Sequence, residues 1–390
     1  MPWKDERPMD QRLLFVADHL RELYKFNELC SRYGVSRKTG YKWVERYERA
    51  GVEGLEERTR RPLSQPAALP YAVRQSIIEL RGSRRTQLGP KKILAGLRER
   101  YPDQPAPCLT TIYNVLKRAG MIPDRRTRRR VSSGAAVADN IKAPNGLWSA
   151  DFKGQFLLTD SQWCYPLTVM DHASRYMLGC QGLTGTRGSP TKAVFERLFR
   201  HYGLPERMRT DNGVPFASLG TAGLSRLSIW WIRLGIVPER ITPGRPQQNG
   251  RHERMHRTLK RAVTQPAATN MRAQQRRFNE FCHHYNTERP HEALAQRTPA
   301  SVYTASPRPY PNRLPELSYP SYMQSHRVCH NGLIYWNAWR IYVGYLLADE
   351  QIGIEPVGDG LWKVHFGPVS LGGFDERNLK SGDDYLTLKL

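Results

Sequence analysis

The sequence contains no long apolar run. None approaches the roughly 20 residues of a membrane-spanning helix, and the N-terminus lacks the apolar core of a signal peptide. We therefore expect a soluble, cytoplasmic protein with no membrane partner.

Cysteine is scarce and shows no metal-binding or disulfide pattern. The six cysteines include no CxxC pair, which argues against a structural zinc site and a disulfide framework. The histidines of residues 252–291 also lack cysteines at zinc-finger spacing. We expect reduced, mostly buried thiols at Cys30, Cys108, Cys164, Cys180, Cys282 and Cys329.

Acidic residues are outnumbered by basic ones. The chain has 60 Lys plus Arg against 36 Asp plus Glu, a formal net charge of +24. This excess indicates a polyanionic partner, with nucleic acid ahead of an anionic membrane surface. At 390 residues the chain also exceeds the roughly 250 to 300 residues of a single core, so two to four domains are expected.

Residues 9–60 are predicted to form a helix-turn-helix DNA-binding domain. Gly34 suits the tight turn between two helices, and Ser36 suits the N-cap of the second helix. Helical hairpins that never touch DNA show the same pattern, and the net charge favours DNA binding here. The expected DNA contacts are Arg37, Lys38 and Lys42.

A second helical domain is predicted at residues 71–122, after a Pro-rich connector at residues 61–70. One helix starts after Leu88, and the stretch from Thr110 to Gly120 has the length and terminal glycine of a second recognition helix. Its expected DNA contacts are Lys117 and Arg118.

The segment 123–145 is predicted to be a basic, extended linker because it combines an arginine run with small and polar residues. A solvated charge run is the ordinary interpretation of such a segment, and phosphate contact is the functional one. The arginines concerned are Arg125, Arg126, Arg128, Arg129 and Arg130.

Residues 146–305 are predicted to form a mixed α/β domain, and residues 321–390 a small β-barrel or β-sheet domain. The α/β pattern gives strands at 147–158, 163–170, 174–182 and 207–210, a helix at 190–202, and helices from 251 to 285 with a break near Gln265. The tail shows five short strand-like segments, and its role is open between contacts with DNA and contacts with other protomers.

Three carboxylates occur in settings that a metal-dependent phosphoryl-transfer site requires: Asp151 in WSADFK, Asp211 in RTDNG, and Glu253 in PQQNGRHERMHRTLK. Carboxylate oxygens are the hard ligands that Mg²⁺ prefers, and two ions about 3.5 to 4 Å apart can activate attacking and leaving oxygens. Asp151 lies in a strand and Asp211 just past one, so both can face the same sheet edge.

Glu253 is predicted to lie on a helix with polar and basic side chains three, four or seven positions away. Residues at these spacings share a helix face and would meet a DNA phosphate beside the metal ions. They are Asn249, His256, Arg257 and Lys260.

Each acid also has an ordinary structural interpretation. Asp211 before Asn-Gly can be a simple turn, and Glu253 can merely balance its basic neighbours. Asp171 is interpreted as a hairpin turn rather than a substrate contact. The pair Trp230 and Trp231 is interpreted as helix packing rather than base stacking.

Four segments, in this order and spacing, resemble the integrase-type catalytic core of bacterial insertion-sequence transposases: WSADFKG, RTDNGVPF, ITPGRPQQNGRHERMHRTLK and YNTERPHEALAQRTPASVY. The resemblance covers roughly residues 140–305. It implies an RNase H-like fold and a catalytic triad of Asp151, Asp211 and Glu253 that holds two Mg²⁺ ions, with Mn²⁺ as a substitute. The tandem helix-turn-helix domains and the terminal β-domain fit the same multidomain α/β plan.

The resemblance further implies the reaction and its partners. Hydrolysis at the end of the element would free a 3′-hydroxyl, which would then attack a target phosphodiester. Lys153, Asn212, Arg257 and Lys260 would position phosphates, and the helix-turn-helix domains would recognise terminal inverted repeats. Because two ends of the element would have to be held together, we expect a homo-oligomer, at least a dimer. We also expect it to be associated with the nucleoid.

One spacing differs from that of retroviral integrases. The interval from Asp211 to Glu253 is longer and contains GLSRLSIWWIRLGI, which we interpret as a subgroup trait. Three rival functions are a catalytically inactive DNA-binding repressor, a nuclease of the same fold that does not join strands, and a structural RNA-binding protein.

Overall fold

The computed structural model describes residues 8–57, 68–82, 88–122, 141, 143–242, 246–337, 339–378 and 386–387. Contacts divide the chain into two compact units, Met1–Ala68 and Leu69–Leu390. The arginines predicted to follow phosphates, Arg125, Arg126, Arg128, Arg129 and Arg130, lie outside the described residues.

The first unit contains three α-helices: α1 Pro8–Leu20, α2 Phe26–Arg32 and α3 Arg37–Ala50. Gly34 makes the turn between α2 and α3 with a φ of 63°. The Thr39 N–H donates to Ser36 Oγ at 3.2 Å, so Ser36 caps α3 as the sequence predicts. Phe15, Leu29, Trp43 and Leu55 are among the buried side chains around which the helices pack.

The second unit begins with three further helices: α4 Tyr71–Gly82, α5 Pro90–Arg100 and α6 Leu109–Arg118. Ile77, Ile93 and Ile112 form their shared core. After α6 the chain turns at Gly120, with a φ of 67°, and the Met121 N–H donates to the Leu116 carbonyl at 2.9 Å. This 6→1 bond is the helix ending that the glycine predicts.

A mixed sheet follows, built from β1 Trp148–Phe152, β2 Phe156–Leu157, β3 Trp163–Asp171, β4 Met177–Leu183, β5 Arg207–Thr210 and β6 Val237–Arg240. The strands run in the order β4-β3-β1-β5-β6, with β2 paired to the start of β3. β1, β3 and β4 are antiparallel neighbours, whereas β1, β5 and β6 are parallel. This is the predicted plan of hairpin strands followed by alternating helix and strand.

Helices cover both faces of this sheet. On one face lie α7 Gly188–Tyr202 and α8 Arg226–Arg233, packed on Trp148 and Ala150. On the other face lie α9 Gly250–Leu259, a π-helical turn at Lys260–Thr264 and α10 Met271–Thr287. Because side chains alternate along a strand, Ser149 and Asp151 of β1 face α9.

The C-terminal region forms two sheets from β7 Gln324–Arg327, β8 Leu333–Trp336, β9 Trp339–Tyr342, β10 Gln351–Gly358, β11 Leu361–Phe366, β12 Val369–Asp375 and β13 Leu386–Thr387. The orders are β12-β11-β10-β7 and β13-β9-β8. The region is therefore described as two sheets rather than as one closed barrel.

Helix α8 joins the C-terminal sheets to the core. Ile229 and Ile232 pack in the apolar cluster of the C-terminal strands, whereas Trp230 and Trp231 pack in the cluster of the central sheet. Arg233 adds a bidentate, half-buried pair with Glu350, at 3.0 and 3.1 Å. Two faces of the GLSRLSIWWIRLGI segment are buried, one in each apolar cluster, and this explains why its sequence is apolar on two faces.

Some predicted elements differ from those observed. The strand predicted at 147–158 is two strands, β1 and β2, and β6, β7 and β12 were not predicted. β6 escapes prediction because its Val-Pro-Glu-Arg sequence carries a proline, which an edge strand tolerates. All six cysteines are free; Cys30, Cys164 and Cys180 are buried and Cys108 is exposed. Among the described residues, no helix has the length and apolarity to cross a membrane.

Candidate active site

Asp151 and Asp211 lie at the carboxyl ends of neighbouring parallel strands. The register pairs Trp148 of β1 with Met208 of β5 and Ser149 with Arg209. Asp151 is three residues beyond Trp148, and Asp211 is three residues beyond Met208. Continuing the same register places Asp151 opposite Asp211. The carboxyl ends of parallel strands form the edge at which ligands bind in α/β sheets.

The turn after β5 holds Asp211 in place. Its Oδ1 accepts a hydrogen bond from the Gly213 N–H at 3.1 Å. A Cβ at position 213 would stand 3.2 Å from Asp211 Oδ2, so a side chain there would press on the carboxylate. The Asn212 amide donates to the Ile241 carbonyl at 3.0 Å, which ties the turn to the end of β6.

Glu253 lies in the first turn of α9 with its side chain exposed. Of the residues predicted to share its face, Arg257 and Lys260 are also exposed. Asn249 and His256 are instead buried, at 5% and 7% exposed. Both belong to the side of the chain that packs on the sheet, because α9 docks through His252, Met255, His256 and Leu259.

The site disfavours a negative charge on Asp151 when no cation is bound. Burial, the charge of Asp211 and a smaller contribution from Glu253 together raise the pKa of the Asp151 carboxyl to about 7. The Phe152 N–H and the Lys153 ammonium act in the opposite direction. Asp151 therefore interacts electrostatically with both other members of the predicted triad and with Lys153.

Behind Asp151 lies a buried polar network that joins β1, β3 and α9. Thr168 of β3 donates to the Asp151 carbonyl at 3.0 Å, and its Oγ1 lies 2.7 Å from Nε2 of both His252 and His256. Ser149 Oγ lies 2.8 Å from His252 Nδ1. Four of these five side chains are less than 9% exposed, the exception being the Asp151 carboxylate itself.

The hydrogen-bond pattern fixes the proton positions. A hydroxyl has one proton, and the Asp151 carbonyl only accepts, so all three bonds form when both histidines donate Nε2–H to Thr168. His252 Nδ1 then accepts from Ser149. His256 Nδ1, 3.7 Å from Asp151 Oδ2, presents a lone pair rather than a proton. Burial lowers the pKa of His252 to about 3 and that of His256 to about 2, so both rings are neutral.

The carboxylate oxygens of the three acids are chemically suited to bind a divalent ion, but the three side chains do not form a compact cluster. Within the described ranges, no three His, Cys, Asp or Glu side chains form a metal-binding group. Asp151 and Asp211 supply neighbouring hard oxygen donors, and neutral His256 offers the Asp151 carboxylate no N–H from Nδ1. Glu253 interacts with Asp151 more weakly than Asp211 does. The aspartate pair thus fits Mg²⁺, and Glu253 would complete the set by moving inward.

The predicted DNA contacts occupy different settings. Arg37 and Lys38 are exposed in the first turn of α3, while Lys42 lies 4.4 Å from the Trp43 ring centroid. Lys117 and Arg118 are exposed in the last turn of α6, away from the N-terminal residues through which recognition helices usually read bases. The first turn of α6 has no basic residue.

Sequence reasoning missed the roles of Thr168, Ser149 and His252. A single Thr in a strand or His in a helix carries no signal of its own, because buried polar side chains of this kind are common. Only the pairing of Asp151 with Thr168 across β1 and β3 reveals the connection.

Comparison with known families assigns the central region. Residues 141–246 and 234–299 match two family models of the integrase core domain. This chain carries an integrase core domain. Residues 11–62 match a helix-turn-helix domain and residues 39–116 a homeodomain-like domain. The integrase core domain is thus preceded by regions that match a helix-turn-helix and a homeodomain-like domain.

The chain is also similar to insertion-element and viral proteins. The chain is 25% identical over 256 residues to the 39.2 kDa protein of insertion element IS476 from Xanthomonas euvesicatoria, covering 64% of this chain and 69% of that protein. It is 30% identical over 135 residues to the Gag-Pol polyprotein of baboon endogenous virus, covering 35% of this chain and 7% of the polyprotein.

A solved structure similar to this chain is the HTLV-2 integrase catalytic core domain in complex with magnesium. The identity is 15% and the TM-score 0.34, over 42% of this chain and 98% of that one.

Proposed function

We propose that the protein is a transposase that cleaves DNA at the ends of an insertion sequence and joins the freed 3′-hydroxyl to target DNA. The observation that carries the proposal is the pairing of Asp151 and Asp211 at the ends of parallel strands, beside Glu253, inside an integrase core domain. Helix-turn-helix domains in the same chain support DNA as the substrate.

In this proposal Asp151, Asp211 and Glu253 hold two Mg²⁺ ions. When bound, the ions stabilise charge on the attacking and leaving oxygens of the phosphodiester, so no covalent protein intermediate is required. Glu253 approaches from an exposed position on α9, and substrate binding beside Arg257 and Lys260 draws that helix face toward the aspartates.

The remaining residues of the site bind the DNA phosphate or orient Asp151. Lys153, next to Asp151, and Arg257 and Lys260, next to Glu253, place cations where the phosphate must lie. Thr168 and its two histidines hold the Asp151 backbone, because the hydroxyl donates to that residue's carbonyl. His256 contributes orientation, because its Nε2–H donates to Thr168, and its pKa of about 2 makes its Nδ1 a very weak base.

DNA binding is assigned to the helical domains. Arg37 and Lys38 of α3 would contact the terminal repeats, with Lys42, Lys117 and Arg118 on the flanking backbone. Pairing of two ends requires at least two copies of the chain. A repressor that binds the element without cleaving it would share these helical domains, and it would lack the cleavage activity.

Cleavage and joining of labelled DNA test the proposal. Purified protein is incubated with linear DNA that carries the element's terminal repeats, with Mg²⁺, Mn²⁺ or EDTA. We expect metal-dependent nicking at the repeat boundary followed by joined products. The Glu253→Gln variant loses both, whereas Glu316→Gln, at an exposed position distant from the acids in sequence, retains both.

The outcomes separate the alternatives. Binding without nicking under any divalent ion would overturn catalysis in favour of the repressor function. Nicking without joined products would indicate a nuclease of the same fold.

A further inference from the structure

A group of basic side chains gathers where the second helical domain meets the core. It comprises Lys92 in the first turn of α5, Arg175 in the turn between β3 and β4, Arg254 of α9, and Arg289 and His291 just after α10, and we call it the junction cluster. Its members come from four separate parts of the sequence.

These side chains interact with one another, and all of them except the exposed Arg254 are partly withdrawn from water. Burial, together with the charges of Arg289 and Arg254, lowers the pKa of Lys92 to about 7. Burial lowers the pKa of His291 to about 3, with contributions from Lys92, Arg289 and Arg175, so this ring is neutral. The like charges of the other side chains repel one another, so the cluster is unfavourable as it stands.

The cluster has too few acids to balance it. Glu292 is the acid that raises the pKa of Lys92, and it is already paired with Lys91, with 2.5 Å between Nζ and Oε1. Asp171 faces Arg175 but accepts hydrogen bonds from Ser174 and Asn145.

Two nitrogen atoms of the cluster lack any protein partner. Arg289 Nη1 and His291 Nε2 are buried and make no hydrogen bond within the described part of the chain. Buried donors are normally satisfied, so an unpaired guanidinium N–H points to a ligand that supplies acceptor oxygens. Helix α5 has no side-chain N-cap, which leaves the positive end of its dipole in the same region.

We propose that the junction cluster binds a backbone phosphate of DNA and thereby holds the second helical domain and the core on the same duplex. A phosphodiester supplies the negative charge and the acceptor oxygens that the cluster lacks. The proposal rests on the proposed function only in taking DNA as the substrate. Arg254 directly follows Glu253, so α9 carries a member of the cluster and a member of the triad.

Lysine footprinting of the full chain tests this site directly. The protein is treated with an acetylating reagent at pH 7 in EDTA, with and without a duplex of arbitrary sequence, and acetylation is located by mass spectrometry. A phosphate that raises the pKa of Lys92 by two units lowers its reactive, unprotonated fraction about 50-fold. We expect strong protection of Lys92 and little change at Lys91, which is already paired.

The second test measures how DNA binding by two variants depends on salt concentration. Lys92→Gln is compared with Arg98→Gln, which removes one positive charge from an exposed position on the same helix. Loss of one phosphate contact reduces the magnitude of the salt-dependence slope by about 0.9. We expect this reduction for Lys92→Gln and not for Arg98→Gln, and we expect neither variant to have a lower thermal midpoint.

Lys92 that reacts equally with and without DNA, or equal slopes in the two variants, would overturn the inference. Because every measurement is made in EDTA, these results do not depend on catalysis. A protein that shows Lys92 protection but no metal-dependent nicking retains this site and loses only the proposed activity.

Discussion

Asp151 combines two properties that oppose each other in a folded protein: it is a carboxylate, and it is largely buried beside another carboxylate. Its folded pKa of about 7 lies above the ordinary value of 3.8. A raised pKa favours the folded state below the unfolded pKa, and this advantage is lost as the pH rises toward 7. Above pH 7 the ionised Asp151 destabilises the metal-free protein.

We therefore predict that Asp151→Asn stabilises the metal-free core at pH 8 while it abolishes nicking. A shift of about three pKa units corresponds to about 4 kcal/mol, so an increase of roughly 2 to 4 kcal/mol in the free energy of unfolding is expected. Urea unfolding in EDTA at pH 8 and at pH 4 measures it. The gain should disappear at pH 4, where the native Asp151 is protonated in the folded state.

Asp160→Asn is the matched control, since Asp160 is an exposed turn residue. It should leave the unfolding free energy unchanged at both pH values. An Asp151→Asn variant that is less stable than the native protein at pH 8 would contradict the assigned charge state.

Thr168 is the residue on which the buried network converges. We predict that Thr168→Val destabilises the core by about 2 to 5 kcal/mol, because it leaves two buried imidazole N–H groups without a partner. It should also lower the nicking rate through misplacement of Asp151. Thermal unfolding and single-turnover nicking measure the two effects.

Thr168→Ser keeps the hydroxyl, so we expect only a small loss of stability and of nicking rate. If Thr168→Val retained stability and nicking as fully as Thr168→Ser, the hydroxyl would have no positioning role.

At the scale of elements, α3 shows how a short local signal sets a whole helix. Gly34 turns the chain, Ser36 caps the helix, and the first turn then exposes Arg37 and Lys38. The N-terminal residues of a recognition helix are those that reach the major groove. DNA affinity should therefore depend on this end of α3 more than on the other.

We predict that replacing Arg37 and Lys38 together by Gln weakens binding to duplex DNA and reduces the magnitude of the salt-dependence slope by about 2. Fluorescence anisotropy at several salt concentrations measures both quantities. Arg49→Gln, in the last turn of α3, is the control. Equal losses in the double variant and in Arg49→Gln would show that α3 contributes only general charge.

Helix α8 shows the opposite case, an element whose role depends on what packs around it. Its sequence is apolar on two faces, and the interpretation as packing rather than base stacking is right because Trp230 and Trp231 are buried. That its other face covers the C-terminal sheets follows only from the fold. Part of the apolar surface of the C-terminal strands is thus buried against α8 of the same chain.

At the scale of the whole molecule, the net charge of +24 governs association with DNA. We predict that the affinity for duplex DNA falls by about 10³ to 10⁵ between 50 and 200 mM salt, as expected for roughly 6 to 10 phosphate contacts. Equilibrium binding in EDTA measures this loss, independently of cleavage. A decrease of less than about tenfold would mean that few of the basic residues contact phosphates.

The domain plan was only partly readable from the sequence. The boundaries proposed at 60, 71, 122, 146, 305 and 321 stay predictions. The observed contacts place a single division near Ala68. The second helical domain and the C-terminal sheets belong to the same unit as the core because they pack on it, for example through Lys91 with Glu292 and Arg233 with Glu350.

The sequence by itself determined the strand and turn that carry Asp151 and Asp211, the helix that carries Glu253, and the cap and turn of α3. These features depend on neighbours within a few residues, where periodicity, glycine and capping act. The tertiary structure alone decided which face of α9 is buried, the network of Ser149, His252, Thr168 and His256, and the junction cluster. These link positions such as 149 and 252, or 168 and 256, that are 103 and 88 residues apart. Such contacts follow from strand register and helix docking, which no local pattern encodes.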